Sequence, residues 1–362
     1  MPEHHNSDRK EHDLRLWIAA GQHGIFKAAF SVENQTVCYL ACAQETAPLR
    51  MTYLIKHPDK PILYGILRGE GFSQIHAYQI LDNGDLQLIN SLDDCPAGAA
   101  HISINDEGSL LAVAYYLSGQ AGIYAILPSG ALGILRYEIH HSGSSHHPER
   151  QTSPHPHWTG FSLNSNSFYV TDLGIDQICC YHFKNNQLKL QQKTLTTQGA
   201  GPRHMAFHKA SHTAYVTNEL QASVSAYRYN PENGQLTEIE TIKSFVKSEP
   251  ERPHNVSDIK IHPSGQFLYV LNRGVDLISV FQVAQKTGKL TWIASEPAHS
   301  TSSRSITFDA EGHLMFVSGE FSDTVVIFHI NSNTGQLEWQ PPILTVPEPM
   351  AIVTETIVFN QG

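Results

Sequence analysis

Residues 201–242 read GPRHMAFHKASHTAYVTNELQASVSAYRYNPENGQLTEIETI. Four short runs of period-two apolar alternation, separated by polar turns, make this stretch a four-stranded antiparallel meander. Residues 256–295, VSDIKIHPSGQFLYVLNRGVDLISVFQVAQKTGKLTWIAS, repeat the pattern, and residues 303–339, SRSITFDAEGHLMFVSGEFSDTVVIFHINSNTGQLEW, repeat it again. Three consecutive copies of one supersecondary unit define a repeat architecture.

Working outward from the second run of each unit, the equivalent positions are Ile18, Gly65, Val113, Val170, Val216, Val270 and Val317. Successive subtraction gives spacings of 47, 48, 57, 46, 54 and 47 residues, close to the roughly 40–50 residues of a propeller blade. The 57-residue gap locates an insertion, HHSGSSHHPERQTSPHPH, between the third and fourth units. The first unit starts at its second strand, LWIAAGQ, while the chain finishes on an unpaired strand-like run, PMAIVTETIVF. The two ends complement each other, so the C-terminal run is expected to supply the inner strand of the first blade and remove exposed sheet edges. The sequence thus predicts an all-β, seven-bladed propeller of four-stranded blades, one domain over residues 14–362, after a disordered polar lead-in at 1–13.

Composition agrees with a large globular core: 41% of the 362 residues are hydrophobic and 16% charged. The formal net charge of −10, with no basic run interleaved with aromatics, argues against nucleic acid as a partner. No stretch reaches the roughly 20 apolar residues needed to span a bilayer. Five cysteines without CxxC spacing argue against a disulfide framework or a zinc ribbon. A cytoplasmic protein is expected.

In an antiparallel blade the start of the inner strand lies beside the end of the second strand, so seven such pairs gather around one axial mouth. The inner-strand position of Arg203 is filled by Ala100, His157, Ser257 and Arg304 in other units, and His101 and His204 stand one place later. The second-strand ends contribute Tyr115, Asp172, Asn218, Glu219, Asn272, Arg273 and Glu320. Asp172, Asn218 and Asn272 suit turn capping as well as ligand binding. Arg203, Glu219 and Arg273 suit either a binding site or an inter-blade salt-bridge ring.

Histidine is abundant, 22 residues in all, which dilutes the signal of each. His140, His141, His146, His147, His155 and His157 lie in the insertion, yet no acidic or Cys residue accompanies them at a recognised metal-site spacing. No metal site is expected.

The segments PERQTSPHPH (148–157), TDLGID (171–176), GAGPRHMAFH (199–208), TNEL (217–220) and LNRG (271–274), in this order and spacing, resemble the seven-bladed propeller lactonases. That family includes 6-phosphogluconolactonases and carboxymuconate-lactonising enzymes. The chain departs from its pattern at Val275 and Leu277 after NRG, at SSRSITF and SGEFSD in the seventh unit, and at GAAH in the third. The resemblance implies hydrolysis of an anionic sugar lactone, foremost 6-phosphogluconolactone of the pentose phosphate pathway, without a cofactor.

For that reaction His157, or His155, is a candidate base because imidazole titrates near neutrality, with Glu219 as competitor. Arg203 and Arg273 are candidates to clamp an anion or the forming oxyanion. His204, Asn218, Asn272, His101, Asp172, Arg304 and Glu320 are candidate substrate contacts. Arg203, Glu219, Arg273 and one of His155 and His157 are expected to share one cleft, and alanine at Arg203 or Arg273 to reduce activity while sparing stability. A lactonising reaction on a muconate-like dicarboxylate, or a non-catalytic ligand- or protein-binding propeller, are the alternatives.

Overall fold

The computed structural model describes residues 12–34, 36–163, 166–245 and 255–358. Among them, seven antiparallel sheets of four strands account for nearly all regular structure, with one short 3-10 helix at Glu219–Gln221. The innermost strands are Arg50–Lys56, Ala99–Ile104, Pro156–Phe161, Pro202–His208, Asn255–Ile261, Ser303–Phe308 and Pro349–Val358. Each packs against the next and the last returns to the first, closing a seven-membered ring. The seven sequence markers fall at one level of the second strands: Val113 pairs with Ile102, Val216 with Met205 and Val317 with Ile306.

Closure follows the expected route. Pro349–Val358 pairs antiparallel with His12–Ala20, setting Leu16 against Thr354 and Ile18 against Ile352. His12 and Asp13, expected in the lead-in, instead open this strand; residues 1–11 lie outside the described residues. No helix among the described residues is long and apolar enough to cross a membrane.

Apolar burial explains why the second strands read as nearly unbroken hydrophobic runs. Both faces of a blade are covered by its neighbours, and each blade-to-blade interface holds its own buried cluster. The cluster joining Leu16 and Ile18 of the first blade to Phe316 and Val325 of the seventh is built like the other six.

A second device repeats with the blades. One residue before the marker, Tyr64, Tyr169, Tyr215 and Tyr269 donate their hydroxyls to the carbonyls of Gly130, Gly234, Gly288 and Gly335, each in the outer hairpin of the following blade. Trp17 does the same with its indole N–H toward Gly84. The position is held by Ala112 in the third blade and Phe316 in the seventh, which offer no donor.

Candidate active site

The inner strands share an irregularity that builds the site. In every blade the register slips near the axial mouth, and the residues left out of the ladder are Thr52, Ala100, His157, Arg203 with His204, Ser257 with Asp258, Arg304 and Met350. A bulge frees a side chain from its alternating direction and re-aims it. Here the freed side chains turn toward the axis. Thr52, Ala100, His157, Arg203, His204, Asp258, Arg304 and Met350 all line one axial pocket of about 230 Å³, joined by Tyr53, Arg68, Tyr116, Arg150, Glu219, Arg273 and Ser305.

Glu219 is the hub of this pocket. Its buried carboxylate meets Arg203 Nε at 2.8 Å, Arg150 Nη2 at 2.9 Å and Arg273 Nη2 at 3.4 Å. The Arg203 contact lies off the N–H axis, so it is an ion pair rather than an aligned hydrogen bond; Arg203 Nη1 donates instead to the Ser257 carbonyl. Burial alone would raise the Glu219 pKa, but Arg203, Arg273 and Arg150 together hold it below the usual carboxylate value. Burial, reinforced by Arg273 and Arg304, brings Arg203 down to about 9 against the pull of Glu219.

Beside this cluster stand three imidazoles in contact. The His204 ring lies 5.4 Å from His101 and 5.3 Å from His157, centroid to centroid. Burial drives all three below the ordinary histidine value, His204 to about 4, with Arg203 adding to the effect on each. They are neutral at neutral pH. His204 Nδ1 is 2.8 Å from Asp258, whose carboxyl is held low, against its own burial, by Lys260 and His204. His157 Nδ1 is buried without a hydrogen-bond partner.

The structure brings Arg203, Glu219, Arg273, His157, His204 and Arg304 into the pocket, and leaves the other expected residues outside it. His155 stacks on Tyr116 at 4.3 Å, with Nδ1 2.8 Å from the Tyr116 carbonyl, and so supports a pocket wall. His101 packs behind the wall against Tyr53 and Trp158. Asp172 spends its oxygens on His141 and on the N–H groups of His155 and Gly174. The Asn218 amide donates to Ser223 and Ser225, and Asn272 is engaged by Ser244, Ser279 and its own strand. These three asparagine and aspartate side chains act as turn and blade fasteners. Glu320 reaches Arg304 at 3.3 Å and Arg50 at 3.6 Å from behind the lining. Tyr115 points away, its hydroxyl bonded to Tyr124.

Several lining residues carry signals that the sequence reading passed over. Arg68 and Tyr116 stand three places after Gly65 and Val113, as Glu219 and Arg273 stand three after Val216 and Val270. Asp258 occupies the His204 position of the sixth blade. Arg150 belongs to the insertion and has no periodic counterpart. It is delivered by a rigid scaffold: Asp176 accepts hydrogen bonds from Ser145, Gln151, Gly199 and Gly201, tying the insertion to the GAG loop.

A larger cleft of about 500 Å³ lies between the outer strands of the third and fourth blades, lined by Tyr137, His141, Cys179, Tyr181, several aliphatics and the charged Arg136, Glu138 and Lys193. It has no converging guanidinium cluster. Among the described residues, the only three potential metal ligands grouped within 4.8 Å are Asp309, Glu311 and His313, outside the insertion.

Residues 19–354 match the family described as lactonase, 7-bladed beta-propeller. A 6-phosphogluconolactonase of Bacillus subtilis is 33% identical over 279 residues, which cover 76% of this chain and 78% of that protein. Among solved structures, a Pseudomonas aeruginosa periplasmic gluconolactonase shares the fold with a TM-score of 0.86 at 23% identity, over 96% of this chain and 99% of that one. A Lactobacillus plantarum protein does so with a TM-score of 0.86 at 24% identity, over 95% and 99%.

Proposed function

The chain belongs to the seven-bladed β-propeller lactonase family, and from that premise we propose that its axial pocket hydrolyses 6-phosphogluconolactone to 6-phosphogluconate in the cytoplasm. Its reaction class is hydrolysis of a lactone ester. The observation that carries the reading is the neutral His157, set in one pocket with the Arg203–Glu219–Arg273 cluster.

Glu219 is a poor base because three guanidiniums occupy its oxygens and stabilise its charged form. His157 is neutral, so one of its ring nitrogens keeps a lone pair. It takes a proton from water as the water oxygen attacks the ring carbonyl carbon. The carbonyl π pair moves to oxygen, and the resulting oxyanion is met by Arg203 and Arg273, whose charges are already fixed by Glu219. Collapse re-forms the carbonyl and breaks the ring C–O bond, and His157 returns the proton to the departing ring oxygen. The product acid then loses its proton to solvent.

Positive charge at the mouth fits an anionic substrate in spite of the overall charge of −10. Among the lining residues there are five guanidiniums and two carboxylates, and one of those carboxylates, Asp258, is matched by Lys260. Acid release from freshly made 6-phosphoglucono-δ-lactone, measured above its spontaneous opening, tests the reading. Saturable catalysis that disappears in His157→Asn is expected. Turnover of a muconate-type dicarboxylate with none of the lactone would overturn it.

A further inference from the structure

The pocket divides across the ring. The fourth, fifth and sixth blades and the insertion hold His157, Arg203, Glu219, Arg273 and Arg150, the three arginines knit through Glu219. The seventh, first and second blades present Arg304, Met350, Thr52 and Arg68, Arg304 standing on the blade next to the sixth. Arg304 has a carboxylate partner in Glu320. Arg68 has none within ion-pair distance among the described residues; its Nε donates to the Ala99 carbonyl, which aims the guanidinium without neutralising it. Thr52 Oγ1 is buried and has no hydrogen-bond partner.

We infer that Arg68, Arg304 and the Thr52 hydroxyl form a subsite for the phosphate monoester of the lactone, on the side of the pocket that runs from the seventh to the second blade. This rests on the reading of the pocket as a sugar lactonase. An uncompensated guanidinium and an unpaired hydroxyl donor are costly to bury unless a ligand completes them. A phosphate offers acceptor oxygens to both, and arginine meets it in planar, bidentate fashion. Burial and the neighbouring charges of Arg304 and Arg50 push the Arg68 pKa down to about 10, with only Glu320 opposing, so an incoming dianion relieves a crowd of like charges. Ala100 of the third blade leaves the gap between the second and fourth blades without a competing charge.

The subsite separates phosphorylated from plain lactones. The test compares kcat/KM for 6-phosphoglucono-δ-lactone and glucono-δ-lactone in the wild type, Arg68→Met and Thr52→Val, with thermal melts of each. In Arg68→Met the ratio of the two kcat/KM values is expected to fall by roughly 10–100-fold, mainly through KM of the phosphorylated substrate. Thr52→Val keeps the side-chain shape and every guanidinium, and is expected to lower the ratio by about 3–10-fold, the loss of one hydrogen bond. A ratio unchanged in both variants, or rates falling equally for the two lactones, overturns the subsite. A wild type that hydrolyses neither lactone overturns instead the reading beneath it.

Discussion

Arg203 and Glu219 come from the bulge and the second-strand end of the same blade, and their charged groups meet at 2.8 Å with both side chains buried. The salt-bridge ring and the binding site, set against each other in the sequence, are therefore one object. Arg203→Ala removes a buried partner and an anchor on Ser257, so it is expected to lower stability by about 3 kcal/mol or more along with activity. This departs from the expectation drawn from the sequence, under which its loss spares stability. Arg273 is more accessible and touches Glu219 only at 3.4 Å, so Arg273→Ala is expected to change stability by about 0–1 kcal/mol while kcat/KM falls roughly 10–100-fold. Chemical denaturation and initial rates on both variants check the contrast.

How much of this was readable follows from periodicity. Sevenfold spacing fixes which residues reach the mouth, so Arg203, His157 and Arg304 could be aligned without coordinates. Direction is another matter. The sequence does not reveal that a bulge turns Arg203 inward while Asn218, on the paired strand, keeps its amide among Ser223 and Ser225. One residue of frame decides between Tyr115 and Tyr116. Arg150 lies in an insertion, where no repeat supplies a template, and its role depends on the hydrogen bonds that Asp176 gathers.

The three neutral imidazoles set a pH dependence. His101, His157 and His204 have folded pKa values below the unfolded value of about 6.5. The unfolded chain thus binds more protons below that pH, and stability present above about 6.5 is lost as pH falls through the folded values. Each histidine held neutral contributes about 1.4 kcal/mol per pH unit in that window. His141 has the opposite sign: burial lowers its pKa, but Asp172 and Cys179 together raise it to about 9, so its contribution is full below about 6.5 and fades as pH rises through 9. Melting temperature across pH 4.5 to 9.5 is expected to form a dome, steep on the acid side. The acid limb of kcat/KM is expected well below pH 6.5, and Arg203→Met, which removes a charge depressing His157, is expected to move it upward. A limb at 6.5 in the wild type would remove His157 from the role of base.

The aromatic latches are separable from the chemistry. Tyr215 donates to the Gly288 carbonyl at 2.6 Å, across the interface between the fifth and sixth blades. Tyr215→Phe keeps the packed ring and deletes the bond, so a loss of about 1 kcal/mol is expected. Lactone kinetics are expected to stay within about two-fold, since the hydroxyl lies in the blade interface. Phe316, naturally without a hydroxyl, offers the reverse experiment. Phe316→Tyr at the closure is expected to bring no comparable gain. Urea midpoints for both variants decide the matter.

Gly174 offers a way to disturb the insertion without touching the pocket. It follows Leu173 in TDLGID, and the insertion passes directly over it: a Cβ there would lie 1.9 Å from the Ser153 carbonyl oxygen and 2.7 Å from the His155 nitrogen. Both neighbours are backbone, so no side-chain rotation relieves the overlap. The Gly174 N–H and His155 N–H also share Asp172 Oδ1, at 2.9 and 2.7 Å, which holds the two segments together. Gly174→Ala is therefore expected to lift residues 153–155 off the fourth blade. His155 then loses its stacking on Tyr116, and Arg150, anchored a few residues upstream, loses its registry with Glu219. The core strands of the blade stay intact because Val170 and its neighbours pack from the other side. A fall in kcat/KM of tenfold or more, with amide exchange rising in 145–157 and unchanged in the strands, is the expected outcome. Full activity alongside the same rise in exchange would show that the registry of Arg150 with Glu219 is not needed for catalysis.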